Sequence, residues 1–427
     1  MKLIAVYYSL TKNYQKRNNN INFKDFNNMK QFFKAVQISE NTYWVGAIDW
    51  NVRNFHGYKT NRGTTYNAFL ILDEKVTLID TVKAPFYDEL MARISSVIEP
   101  AKIDYIISNH SEPDHSGALE KVVAAVKPEK VFASVMGQKT LKAYFGEDFA
   151  VEALKTGDMV NIGKNDLAIV ETKMVHWPDS MITYASNEKV LFSQDAFGMH
   201  LATSKLFSDE NDRSILEHEV KKYFANILLH LSPQVSATIA ALPKLNLDIQ
   251  VVAPDHGPLW RTGEEIEYVI NLYNKFAAQN ADKKAVVFYN SMWNSTAKMA
   301  AALSDGLRDG NLNVQLIDIN VSDRSEIITE IIDSAIVCAG APTMNNQVYP
   351  AMADILTYVK GLRPKNKIGF AFGSFGWSGE GHKYIQNEMA AMKFELPFEP
   401  YSCKYMPTEK NLEEIFNIGK SLAELVK

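Results

Sequence analysis

The stretch NHSEPDHSG, residues 109–117, places His110, Glu112, Asp114 and His115 within six positions. Alternating imidazole and carboxylate donors are the ligand types of zinc and of redox iron. The stretch follows Ile103-Asp104-Tyr105-Ile106-Ile107, which reads as a strand, so the donors lie at a strand's end. A polar loop after a strand often carries such residues without binding a metal, but three distant residues repeat the pattern. His176 opens His176-Trp177-Pro178-Asp179 after an apolar-rich run, and Asp195 follows the strand Val190-Leu191-Phe192-Ser193. His256 follows Val251-Val252-Ala253-Pro254 within Asp255-His256-Gly257. In a layered α/β fold the carboxyl ends of strands gather on one rim, where sites form. Four imidazoles and three carboxylates, one of them able to bridge, suffice for two metal ions.

A second constellation lies in NSMWNST, residues 290–296. Ser291, Asn294, Ser295 and Thr296 offer hydroxyl, amide and backbone donors at the start of an expected helix, a ready phosphate site. The same residues would also serve as plain helix caps.

The elements that must position these groups differ between the two halves. From about 34 to 255, short β-rich runs recur with helices such as 86–98 and 118–126 between them, which predicts a layered domain with two sheets. Helices are expected over 209–231 and 263–280. The polar stretch Asn280-Ala281-Asp282-Lys283-Lys284 marks the boundary. Beyond it five strands, at 285–289, 314–319, 334–340, 367–373 and about 399–404, are each followed by a helix. That rhythm predicts a parallel, doubly wound sheet. The domains are therefore expected at 34–280 and 285–427. Residues 1–33 read as a poorly ordered extension, because 1–28 are rich in Asn and Lys and a second methionine, Met29, follows.

Composition narrows the class. A net charge of -5 with both signs scattered argues against nucleic acid as partner. Two distant cysteines, Cys338 and Cys403, exclude a disulfide framework and fit a reducing cytosol. No apolar run approaches the roughly 20 residues of a membrane span, so a cytoplasmic protein is expected.

His-x-Glu-x-Asp-His followed by a distant His, Asp and His resembles the diiron domain of the flavodiiron proteins, or A-type flavoproteins. The loop Ser291-Met292-Trp293-Asn294-Ser295-Thr296 resembles the Ser-Met-Trp-x-Ser-Thr version of the phosphate loop in that family. It departs from the usual flavodoxin pattern at Trp293 and Asn294. The resemblance runs from about residue 34 to the C-terminus. It implies an αββα metallo-β-lactamase-like sandwich followed by a flavodoxin-like sheet. It also implies one iron on His110, Glu112 and His176, a second on Asp114, His115 and His256, and Asp195 between them. Glu112 stands where hydrolytic enzymes of the fold carry a second histidine. The added carboxylate hardens the site and stabilises the ferric state. The alternative is a zinc hydrolase with a flavodoxin-like appendage.

The flavin ring of such a fold sits at the carboxyl ends of the strands, at the switch point. Gly340, Pro342, Thr343 and Asn345 are expected to present polar groups to its pyrimidine side. Ser374, Phe375, Gly376, Trp377 and Gly379 form the other loop, with Trp377 placed to stack on the ring. FMN is expected rather than FAD, since no second phosphate fingerprint appears. No Cys-x-x-Cys pair occurs, so the rubredoxin module fused to some family members is not expected. His56, in DWNVRNFHGY, and His200 are expected in the substrate pocket. His218, His230 and His382 are expected to be structural or exposed. The family implies reduction of O2 to water and/or NO to N2O by electrons from FMN. It implies a separate electron-donor protein or reductase, and a head-to-tail homodimer, with homotetramers possible.

Overall fold

The computed structural model describes residues 32–426. Residues 1–31, and with them most of the expected extension, lie outside the described residues. Contacts divide the chain into two units. The first runs to Trp50 and resumes over Gly63–Phe207 and Leu247–Thr262. The second takes Asn51–Arg62, Ser208–Asn246 and everything from Gly263.

The first unit holds the two expected sheets. In the seven-stranded sheet the order is Val36–Gln37, Thr42–Trp44, Phe69–Ile71, Thr77–Ile79, Tyr105–Ser108, Lys130–Ser134 and Glu152–Leu154. It is antiparallel up to Thr77–Ile79 and parallel beyond. In the six-stranded sheet the order is Met159–Asn161, Asp166–Glu171, Met181–Ala185, Val190–Gln194, Val251–Pro254 and Trp260–Arg261. Only Val190–Gln194 and Val251–Pro254 pair in parallel there. These two strands are buried along their whole length, as parallel strands covered on both faces are. Phe69, Ile107, Phe132, Ile169, Met181 and Phe192 form one core cluster. The rings of Phe69 and Phe192 approach to 5.1 Å and tie the two sheets together.

The second unit is built on five parallel strands in the order Asn313–Asp318, Asp282–Tyr289, Ser334–Met344, Ile368–Phe375 and Tyr401–Lys404. By chain position this is 2-1-3-4-5, the flavodoxin-like winding. Helices Ser295–Asp309, Arg324–Ile331, Pro350–Leu362, Gly381–Ala391 and Glu409–Ala423 follow the strands in turn. The order reverses beside the first strand, so the loops after Tyr289 and Met344 meet a crevice there.

The expected helix over 209–231 is three pieces. Arg213–Tyr223 is α-helical, Phe224–Leu228 widens into a π turn, and Leu229–Leu231 is a 3-10 turn before the helix Ser232–Ala241. Inside the π turn Asn226 is buried. Its amide donates to the Lys222 carbonyl at 2.8 Å, and its oxygen accepts from the Tyr358 hydroxyl at 2.7 Å. Apolar periodicity alone does not register such a polar pivot. Among the described residues no helix is long and apolar enough to cross a membrane.

Candidate metal centre and flavin cavity

The strand Tyr105–Ser108 delivers the first ligand loop, and buried hydrogen bonds fix how it leaves the sheet. Asn109 donates its backbone N–H and side-chain amide to Asp80, at 2.7 and 2.9 Å, and accepts from the Thr183 hydroxyl at 2.7 Å. Glu112 then occupies the N-cap position of the single turn Pro113–Ser116 without a side-chain capping bond, and the turn's first position suits proline's fixed φ. The backbone and hydroxyl of Thr81 both donate to the His115 carbonyl. A Cβ at Gly117 would stand 2.3 Å from the Pro113 oxygen and 2.9 Å from the Ala84 nitrogen. Only glycine closes this loop against its neighbour.

The seven expected ligands converge in the first unit. His110, Glu112, His176 and Asp195 present donor atoms within 4.8 Å of one another, and so do Asp114, His115 and His256. Asp195 divides its oxygens between the two sets. Oδ2 lies 3.4 Å from His110 Nε2 and 2.8 Å from His176 Nε2. Oδ1 lies 3.3 Å from His115 Nε2 and 3.5 Å from His256 Nε2. Glu112 Oε2 closes the first set at 3.2 Å from both His110 and His176. Asp114 Oδ2 closes the second at 3.2 Å from His115 and 3.1 Å from His256. Metal–ligand bonds of about 2.1 Å put neighbouring donors roughly 3.0–3.4 Å apart, so these separations suit the edges of two coordination shells.

A test of fit comes from atoms that do not bond to each other. Both oxygens of Asp114, His115 Nε2 and Asp195 Oδ1 are buried and make no hydrogen bond. Desolvated polar atoms that crowd together without bonding are costly. They are accounted for when their lone pairs converge on cations. The electrostatics agree. Burial alone would raise the Asp114 and Asp195 carboxyls, but the surrounding imidazoles hold both well below the usual carboxylate range. Burial alone would depress His110 and His115, but the carboxylates push both well above the usual histidine range. The cluster demands positive charge, and the residues fit a dinuclear metal site.

Behind the ligands lies a layer that inspection of the sequence missed. His110 Nδ1 meets Asp179 at 3.2 Å, His256 Nδ1 meets the Thr65 carbonyl at 2.6 Å, and Asp255 lies 3.6 Å from His115 Nδ1. Each contact leaves Nε2 directed at the centre. Burial raises the Asp80 carboxyl to about 6, and burial together with Asp80 pushes Asp255 well above the usual range. The signal was available: Asp179 follows His176 by three positions, and Asp255 precedes His256.

His200 is buried beside this centre. Its ring stands 4.5 Å from that of His256, and its Nδ1 is 2.8 Å from the Thr64 hydroxyl. His56 belongs to the segment that groups with the second unit, where its ring meets Phe55 edge-on at 4.2 Å. His218 is half-buried, His230 is exposed and His382 is buried.

In the second unit a cavity of about 400 Å³ opens at the switch point. Of the expected flavin contacts, Met292, Trp293, Ser295, Pro342, Thr343, Asn345, Ser374, Phe375, Gly376 and Trp377 line it. Asn346, Ser378, Tyr405 and Met406 also line it and were not anticipated. The remaining expected residues do not line it. Ser291 Oγ accepts from the Ala297 N–H at 3.4 Å, and Asn294 takes a left-handed φ of 64° at the helix cap. Thr296 is buried, 3.0 Å from Ser374 Oγ. At Gly340 a Cβ would meet the Phe372 ring at 2.2 Å, so that glycine admits a core ring. A Cβ at Gly379 would make ordinary contact with Phe375 and His382 at 3.4 Å.

Comparison with known proteins agrees with the fold of both units. Residues 64–257 match the family model described as ODP family beta lactamase, and residues 287–419 match flavodoxin. The structure of rubredoxin oxygen:oxidoreductase from Desulfovibrio gigas is 42% identical. It covers 92% of this chain and 98% of its own, with a TM-score of 0.90. The flavodiiron protein from Giardia intestinalis is 35% identical over 92% of this chain and 97% of its own, with a TM-score of 0.89. This chain belongs to the flavodiiron proteins. A further member of the group it matches, nitric oxide reductase from Moorella thermoacetica, is 42% identical over 91% of this chain and 98% of the relative. The flavodiiron fold, an αββα sandwich and a flavodoxin-like sheet, is the fold observed. The flavodoxin-like unit takes FMN, and the His/Asp/Glu cluster is able to hold metal ions.

Proposed function

We infer that this flavodiiron chain is an oxidoreductase that reduces O2 to water and/or NO to N2O, drawing electrons from a separate donor protein or reductase through FMN. The observation that carries the reading is the division of Asp195 between two His/carboxylate sets. When bound, the flavin supplies electrons and the iron pair supplies a place for a small gas to be reduced. The chain's own residues do the rest. His110, Glu112 and His176 would hold one iron, Asp114, His115 and His256 the other, and Asp195 would offer an oxygen to each. Four imidazoles give neutral nitrogen donors, and Glu112, Asp114 and Asp195 give anionic oxygen, which favours iron over zinc. The Thr65 carbonyl holds the His256 Nδ1 proton, and Thr64 Oγ1 lies close enough to share a proton with His200 Nδ1. Burial of the centre excludes bulk water. Ser295 and the start of its helix would meet the FMN phosphate, and Trp377 its ring.

The rim of the cavity supports a further part of the proposal. Trp293 and Trp377 are 82% and 86% exposed, and Tyr405, Met406 and Met292 are exposed beside them. Such a patch is characteristic of a covered surface. A second copy, arranged head to tail so that its irons face this flavin, is the occupant proposed. A cytoplasmic setting accords with the two free, buried cysteines.

Metal analysis tests the reading. Protein expressed in iron-rich medium should carry about two irons for each FMN. Glu112→His should lower iron retention and favour zinc. Zinc alone in the wild type, with no gas consumption under any reductant, overturns the proposal in favour of a hydrolase.

A further inference from the structure

We propose that Asp179 is the positioning residue of the His110/Glu112/His176 half of the centre, setting how tightly that half holds its iron and at what potential it works. The inference rests on the metal reading above and adds a residue outside the ligand set.

Asp179 is 2% exposed, and one of its oxygens does three things. Oδ2 faces His110 Nδ1 at 3.2 Å, accepts from the Ser111 backbone N–H at 2.7 Å, and accepts from the Ser111 hydroxyl at 2.6 Å. The residue is itself anchored. Its carbonyl accepts from Ser134 Oγ at 2.6 Å, and the same Ser134 caps the helix Val135–Phe145 through the Gly137 N–H at 3.0 Å. Asp179 therefore ties the loop carrying His110, Glu112 and Asp114 to the loop carrying His176, with the end of the strand Lys130–Ser134 as its footing. Its Oδ1 is buried without a hydrogen-bond partner, so its bonding is concentrated on the ligand loop.

The other half of the centre has no equal. His256 is backed by a neutral carbonyl, and Asp255 stands 3.6 Å from His115 Nδ1 without a hydrogen bond. A carboxylate that accepts Nδ1–H fixes the tautomer and makes Nε2 a stronger donor. Two irons held here would thus be inequivalent, with His110 the more basic ligand and the ferric state favoured on its side.

Asp179→Asn, Ser111→Ala and Asp179→Glu in the full chain separate this role from a mere loop clamp. The readouts are Fe(II) release to a chelator and the iron midpoint potential from a spectroscopic redox titration, with FMN content as control. Asp179→Asn should weaken one iron of the pair by roughly 10–100-fold and raise its potential, while the other iron and the FMN stay. Ser111→Ala should hold both irons within about 2-fold of wild type, because the His110 contact survives. Unchanged affinity and potential in Asp179→Asn overturn the inference, and so does Ser111→Ala matching it. If Asp179→Asn does not fold, Asp179→Glu decides. Its displaced carboxylate should weaken one iron at wild-type FMN content, and unchanged release overturns the proposal. A wild type that binds no iron would instead sink the metal reading itself.

Discussion

The metal centre and the flavin cavity solve opposite problems. His110, Asp114, His115, Asp195 and His256 are all at most 4% exposed, and the three imidazoles are backed by Asp179, Asp255 and the Thr65 carbonyl. The flavin cavity is walled by strand ends and the loops beyond them, and its two tryptophans stand more than four-fifths exposed. Charged donors buried this deeply are tolerable only if their geometry is fixed in advance, because a misplaced one would carry its whole desolvation cost. A cofactor that offers a large aromatic face can be met by adaptable side chains and backbone, so its pocket needs no such bracing. The lesson is that bracing tracks charge: the unit that handles cations is preorganised, and the unit that handles the flavin is left open.

The comparison breaks first at Asp195. Asp195→Ala removes oxygens that face both ligand sets. It should abolish retention of both metals and cut gas reduction by at least about 1,000-fold, while FMN content stays at the wild-type level. Loss of FMN as well would show that the two sites are not separable. On the open side the effect should be smaller. Trp377→Ala should weaken FMN by about 3- to 10-fold, as expected of one aromatic contact, with iron content unchanged in a metal assay. An equal loss of iron would contradict the division.

A third effect, on stability rather than on either site, concerns a charge inside the flavin-binding unit. Lys367 is 3% exposed, donates to the Ile332 and Ser334 carbonyls at 2.9 and 2.7 Å, and is lowered by burial to about 8. Its folded value lies below the ordinary 10.5, so between those limits the unfolded chain binds more protons than the folded one. Stability therefore rises with pH across that window, by up to about 3 kcal/mol. Denaturant unfolding of wild type and Lys367→Met should show the wild type gaining on the variant from pH 8 upward. A constant gap would remove the buried charge from the account.

Much of this was legible in the sequence because it is local. Strands such as Val190–Gln194 and Val251–Pro254 open with apolar runs, and Asp195 and His256 lie within two positions of their ends. The phosphate loop before Ser295 is a contiguous motif. What escaped is long-range. Asp179 reaches back to Ser111, 68 positions earlier, and Thr65 reaches His256 across 191. Tyr405 and Met406 join the flavin cavity from the end of the last strand, with no motif of their own. The π turn at Phe224–Leu228 escaped because its pivot, Asn226, is satisfied by Tyr358, which no local pattern couples to it.

The central claim is that flavin and metal cluster act together on a small gas. Stopped-flow mixing of the anaerobically reduced, iron-loaded protein with O2 and, separately, with NO tests it most directly. Rapid flavin reoxidation is expected with at least one gas in the wild type, and loss of that fast phase in Asp195→Ala at equal FMN content. Equally fast reoxidation in both proteins would mean that the flavin reacts without the metals, and would contradict the account.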